Sequence, residues 1–159
     1  MFLSFYGLEF NPFDKDINSK HAYLTNDLKI MNNRLDFLKE HPSIALFTGN
    51  AGVGKTFSIR TFLESLNPNL FKCIYISMSS TTVIDFYRQL CFGLGIIPAF
   101  RKSDMFKQIQ ECIINFVKNK KIKVIICVDE AQYLKTDILN DLKILMNFEM
   151  DSKNYFTLI

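Results

Sequence analysis

Nowhere does the sequence run apolar for the ~18 residues that a membrane-spanning helix needs. Residues 1–10 also lack a basic segment leading into a cleavable apolar core, so no secretory leader is read there. These absences point to a cytoplasmic chain with no membrane partner. Only four cysteines occur, Cys73, Cys91, Cys112 and Cys127, widely spaced and without a C-x-x-C pair. That spacing argues against a zinc site or a disulfide frame. Cys73 and Cys127 fall in apolar strand patterns and Cys112 on the apolar side of a helix, as small buried hydrophobes do in a reducing compartment. The two histidines, His21 and His41, sit in polar, irregular contexts without a partner pattern and receive no role. The formal net charge of +3 is too small to diagnose a nucleic-acid partner. Lys118, Lys120, Lys121 and Lys123 cluster locally, and Arg101-Lys102 form a smaller pair. Either suits a phosphate backbone; the lysine cluster also reads as the solvated C-terminal end of a helix.

What is present is more specific. The 159 residues, 48% of them hydrophobic, are enough for one domain with a substantial core. Residues Gly49-Asn50-Ala51-Gly52-Val53-Gly54-Lys55-Thr56 match the phosphate-cradling pattern G-x-x-x-x-G-K-[ST] completely. The match follows an apolar run, Ile44-Ala45-Leu46-Phe47, and precedes a helical pattern that opens at Phe57. Strand, loop and helix in that order are the context in which such a loop works. Its glycines let successive backbone N–H groups turn toward an anion. Lys55 adds a positive charge toward the β- and γ-phosphates, and the Thr56 hydroxyl can ligate Mg²⁺. The pattern implies a bound nucleoside triphosphate.

Val124-Ile125-Ile126-Cys127-Val128 is wholly apolar and rich in β-branched residues, as expected of a parallel strand buried on both faces. It ends in Asp129-Glu130, and the C-terminal ends of such strands face the ligand crevice of open α/β sheets. Asp129 is suited to holding Mg²⁺, and Glu130 to polarising a water aimed at the γ-phosphate. The same pair would also serve simply to begin a loop and cap the next helix. Gln132, close behind, either orients water or is a solvated helix-start residue. The adjacent glutamate favours hydrolysis, and the absence of an Asn-Lys-x-Asp signature favours ATP over GTP.

Strand patterns fall at about residues 43–48, 71–77 and 123–128, with another beginning near Tyr155. Helices are expected from Thr25 or Asn26 to about Lys39, from the phosphate loop to about Leu66, and from a Thr82/Asp85 capping box to Gly93-Leu94-Gly95. Ser103 and Thr136 are read as the caps of two more, the first reaching about Asn119. Strands alternating with helices predict a parallel sheet covered on both faces, a three-layer αβα fold. Residues alone make Phe5, Tyr6, Phe10 and Phe13 a hydrophobic plug over the sheet edge.

Taken together, these residues resemble the AAA+ superfamily of P-loop ATPases. More narrowly, the chain is similar to the ExeA-like group and to the ATP-binding transposition helpers of the MuB, IstB and TniB type. The resemblance rests on Phe5-Tyr6-Gly7-Leu8 with Asn11-Pro12-Phe13, on Phe47-Thr48-Gly49 running into Gly52–Thr56, on Val128 to Leu134, and on Leu145 to Asp151. It implies strand order 2-3-4-1, counting the four predicted strands along the chain. It divides the chain into an N-terminal segment and helix, 1–42, and a partial nucleotide-binding core, 43–159. Asn11, Pro12 and Phe13 would help form an adenine pocket. ATP and Mg²⁺ are the implied ligands; DNA, a transposase and further copies of the chain are the implied partners of a full-length form. A secretion or envelope-assembly ATPase of ExeA type, or an inactive nucleotide-binding fragment, are the alternatives. Complete members carry a sensor residue, a fifth strand, an arginine finger and a helical lid, none of which follows Ile159 here. The chain is therefore expected to be a truncated form with weak turnover.

Overall fold

The computed structural model describes residues 2–12, 21, 23, 25–77, 82–148 and 153–159. Its helices are α1 (Phe2–Tyr6), α2 (Asn26–Glu40), α3 (Lys55–Ser65), α4 (Val83–Leu94), α5 (Lys102–Ile114) and α6 (Thr136–Met146). Its strands are β1 (Phe71–Ser77), β2 (Lys123–Asp129) and β3 (Phe156–Leu158). β2 lies in the middle, parallel to β1 from Phe71↔Lys123 to Ser77↔Asp129 and parallel to β3 from Val124↔Phe156 to Ile126↔Leu158. On the far side of β3, Leu158 N–H donates to Ser43 O at 3.0 Å and accepts at its own carbonyl from Ala45 N–H at 2.8 Å. The spatial order is therefore β1, β2, β3 and the 43–45 segment, which is the predicted 2-3-4-1 order of a P-loop nucleotide-binding fold.

The predicted strand at 43–48 is shorter than expected, reduced to a bridge at Ile44. Leu158 carries the pairing to 43–45, and Ile159, the next residue along, turns its backbone groups to β2, as alternate residues of a strand with two neighbours do. Its N–H donates to Ile126 O at 2.9 Å and its carbonyl accepts from Val128 N–H at 2.7 Å.

Side chains on a strand alternate between faces, and β2 uses this to build two cores. Val124, Ile126 and Val128 join the larger cluster, which α4, α5 and α6 close with Phe86, Leu90, Met105, Ile109, Ile138 and Leu145. Ile125 points the other way, into a smaller cluster with Leu35 and Leu38 of α2 and Phe62 and Leu66 at α3. Two helical layers on one sheet follow directly from that alternation. The cysteines are free, and burial raises the thiol pKa of each, that of Cys127 to about 12, so they behave as apolar filler.

The helix boundaries show which capping signals work. Thr25 caps α2, its hydroxyl accepting from Leu28 N–H at 3.3 Å. Thr82 caps α4 by accepting from Asp85 N–H at 3.2 Å while donating to the Asp85 carboxylate at 2.5 Å. Ser103 and Thr136 do not cap. Each lies inside its helix, and Arg101 and Lys135 hold the cap positions without a side-chain bond. In both places an extended residue one or two steps earlier already supplies the first carbonyl, as Arg101 O does for Met105 N–H at 3.1 Å. The helix predicted to reach Asn119 changes character at Asn115, where a π turn continues it to Asn119. The plug expected over the sheet edge is also absent from the residues described. Phe5, Tyr6 and Phe10 are exposed, and the Phe5 and Tyr6 rings pack on each other with centroids 4.9 Å apart; Phe13 lies outside the described residues.

The α4 helix ends at Gly93-Leu94-Gly95 as predicted, with Gly95 as its left-handed cap, and Gly93 in its last turn packs against the sheet. A Cβ there would come within 2.4 Å of Ile74 Cγ2. We predict that Gly93→Ala lowers stability by about 1–3 kcal/mol in denaturant unfolding. Pairing it with Ile74→Ala should cost less than the sum of the two separate losses. Full additivity, or a stabilised Gly93→Ala, would contradict this account of the contact.

Candidate nucleotide site

Residues 49–54 leave the sheet next to β3 and turn into α3. The turn needs two left-handed residues, Gly52 at φ 83° and Gly54 at φ 89°, and both are glycine. Gly54 is also the cap of α3, and having no side chain it leaves the first N–H groups of the helix facing the loop. That is the geometry of an anion site at a helix N-terminus. The Lys55 ammonium lies across the loop, donating to Gly49 O at 2.7 Å and Asn50 O at 3.0 Å.

Asp129 reaches this loop because of strand parity. Ile125, Cys127 and Asp129 share one face of β2, and Ile125 packs against α2 and α3, so Asp129 emerges on the α3 side. There its Oδ2 accepts from the Thr56 hydroxyl at 3.0 Å, and its Oδ1 accepts from Glu130 N–H at 2.9 Å. A third bond had no counterpart in the sequence reading: the Tyr75 hydroxyl donates to Asp129 Oδ2 at 2.6 Å. Partial burial holds the Tyr75 pKa well above the ordinary phenol value, with the bond to Asp129 and its charge adding to the effect. Tyr75 thus stays a donor. The signal that could have found it was register: once 71–77 and 123–129 are paired in parallel, Tyr75 sits two residues short of the partner of Asp129, on the same face.

Glu130 follows with φ 56° and ψ 40°, a left-handed conformation uncommon for a residue with a side chain. Its carboxylate accepts from Gln132 Nε2, so Gln132 contacts the predicted catalytic base directly. Loop, helix start and strand tip together wall a cleft of about 840 Å³. Of the predicted residues, Gly49, Ala51, Gly52, Gly54, Lys55, Thr56, Phe57, Asp129 and Glu130 line it. Asn50 contributes its carbonyl to Lys55, and Val53 faces an adjoining cavity of about 270 Å³ beside α2. Asn11 and Pro12 are exposed and belong to the lining of neither cavity, and Phe13 lies outside the described residues.

The donor set suits magnesium with a triphosphate. A carboxylate and a hydroxyl in contact are hard oxygen ligands, and Mg²⁺ usually takes only one or two carboxylates beside phosphate oxygens.

Fold and cleft define the class as a P-loop α/β nucleotide-binding domain. Within it the assignment is narrower: a family described as "AAA domain" matches residues 38–159, and the chain belongs to that family of ATPases. The chain is similar over its whole length, at 29% identity, to general secretion pathway protein A of Aeromonas hydrophila, of which it spans 29%. Over 104 residues, 65% of the chain, it is 30% identical to the ATP-dependent target DNA activator B of Escherichia phage Mu, spanning 31% of that protein. The corresponding activator of phage D108 matches to the same extent. The chain thus spans about three-tenths of the length of the curated relatives it matches. Among the described residues no helix is long and apolar enough to cross a membrane.

A left-handed residue with a Cβ costs about 1–2 kcal/mol. We therefore predict that Glu130→Gly leaves thermal stability unchanged or raised, although it removes a carboxylate from the cleft. A clear fall in melting temperature would show that the Glu130 side chain supports the fold.

Proposed function

We propose that this chain binds ATP with Mg²⁺ in the cleft and hydrolyses it. The observation that carries the reading is the Thr56–Asp129 bond of 3.0 Å, which joins the start of the loop helix to the tip of the central strand. Residues 49–57 would wrap the phosphates with backbone N–H groups, and Lys55 would exchange the carbonyls of Gly49 and Asn50 for β- and γ-phosphate oxygens. Thr56 and Asp129 would hold Mg²⁺, which when bound neutralises charge developing on those oxygens. Glu130 would take a proton from the attacking water as its oxygen bonds to the γ-phosphorus and the bond to the β-phosphate oxygen breaks, releasing ADP and phosphate. Gln132, bonded to that carboxylate, would keep it aimed. Asn11, Pro12 and Phe13 would help form an adenine pocket, a role supported by the family resemblance of the N-terminal segment.

We further propose that the ATP cycle controls binding to DNA and activation of a transposase, with several copies assembling. The similarity to the phage target DNA activators supports this. A secretion role has its own support, since the similarity to general secretion pathway protein A extends over all of the chain.

Lys55→Ala should abolish binding of a fluorescent ATP analogue while leaving the circular dichroism spectrum intact; retained affinity would refute the assignment. Glu130→Gln should still bind but lose about 10²–10⁴-fold in single-turnover hydrolysis, the usual worth of a general base. Equal rates for mutant and wild type would remove Glu130 from the chemistry. The two cellular roles separate on DNA retention by the protein. ATP-dependent retention supports the transposition reading, and hydrolysis without it supports secretion.

A further inference from the structure

Asp129 is the acidic group on which the proposed Mg²⁺ site depends, and its position is unusually well determined. Its Oδ1 takes the Glu130 N–H at 2.9 Å, and its Oδ2 takes two hydroxyls, Thr56 at 3.0 Å and Tyr75 at 2.6 Å. Thr56 and Tyr75 come from separate elements, α3 and β1. Tyr75 is paired with Cys127, so its hydroxyl crosses to Asp129 diagonally, to the next residue on the same face of the neighbouring strand. A ring with a terminal hydroxyl is long enough to make that diagonal reach, and a short polar side chain is not. The ring itself is 47% exposed, so its hydroxyl contact is not a by-product of core packing.

We propose that Tyr75 is a positioning residue for the metal–nucleotide site, its hydroxyl holding the Asp129 carboxylate against Thr56 so that Mg²⁺ meets a preset pair of oxygens. The inference rests on the nucleotide reading above. Tyr75 is not among the residues that line the cleft, so its effect should appear in metal dependence alone.

The test is binding of a fluorescent ATP analogue to wild type and Tyr75→Phe, in EDTA and across a Mg²⁺ titration. The phenylalanine ring keeps the apolar contacts of the exposed tyrosine, and melting temperature measured alongside verifies the fold. The expected result is unchanged affinity in EDTA with a Mg²⁺ midpoint raised about 10-fold, as for other groups that orient a metal ligand. An unchanged midpoint overturns the proposal. So does an equal loss with and without Mg²⁺, which would put Tyr75 on the nucleotide instead. If wild type itself binds no analogue under any condition, the nucleotide reading fails first and the role of Tyr75 with it.

Discussion

β2 is hydrogen-bonded to β1 on one side and β3 on the other, and residues 124–128 are shut off from water on both faces. A strand in that position has no freedom to slip, because a shift of one residue would exchange the occupants of both cores. Its parity then determines the rest. Even-numbered residues fill the layer of α4, α5 and α6, and the odd-numbered series ends in a carboxylate that faces α3. The apolar burial of Ile125 and the polar engagement of Asp129 are therefore one constraint felt at two points of a single strand.

The loop at 49–54 meets that carboxylate because the sheet is parallel and the 43–45 segment runs beside β3. All strand ends on this side open toward one crevice, the usual ligand position in α/β sheets. Within the crevice the polar groups bond to one another across elements: Thr56 and Tyr75 to Asp129, Gln132 to Glu130, Lys55 to its own loop. Such a network prearranges the groups that a charged ligand requires. It also places a local cost there, in the left-handed Glu130.

Much of this was legible from residue order. The three strands at 71–77, 123–129 and 156–158, the buried stripes of α2, α3, α4 and α6, and the Thr82–Asp85 cap all follow from local periodicity and side-chain reach. The errors share a cause. Ser103 and Thr136 have the chemistry of caps, but which carbonyl starts a helix depends on where the preceding backbone turns. The strand at 43–48 has the right composition, but how far it pairs is set by its neighbour, where Leu158 bonds to Ser43 and Ala45. The aromatic residues near the N-terminus are apolar enough for a core, yet apolar character does not say which surface is available to cover them.

Residue order by itself determined that a glycine-rich, lysine-bearing turn stands between a strand and a helix, and that an apolar strand ends in two carboxylates. Those are local matters, decided by which dihedrals glycine permits and by how short an apolar run remains a strand. Only the tertiary structure decided that Asp129 and not its neighbour faces Thr56, that Tyr75 closes on the same oxygen, and that Gln132 holds Glu130. Each of these depends on the parallel register between chain segments far apart in sequence, and register is fixed by the joint packing of both cores, which no single segment encodes.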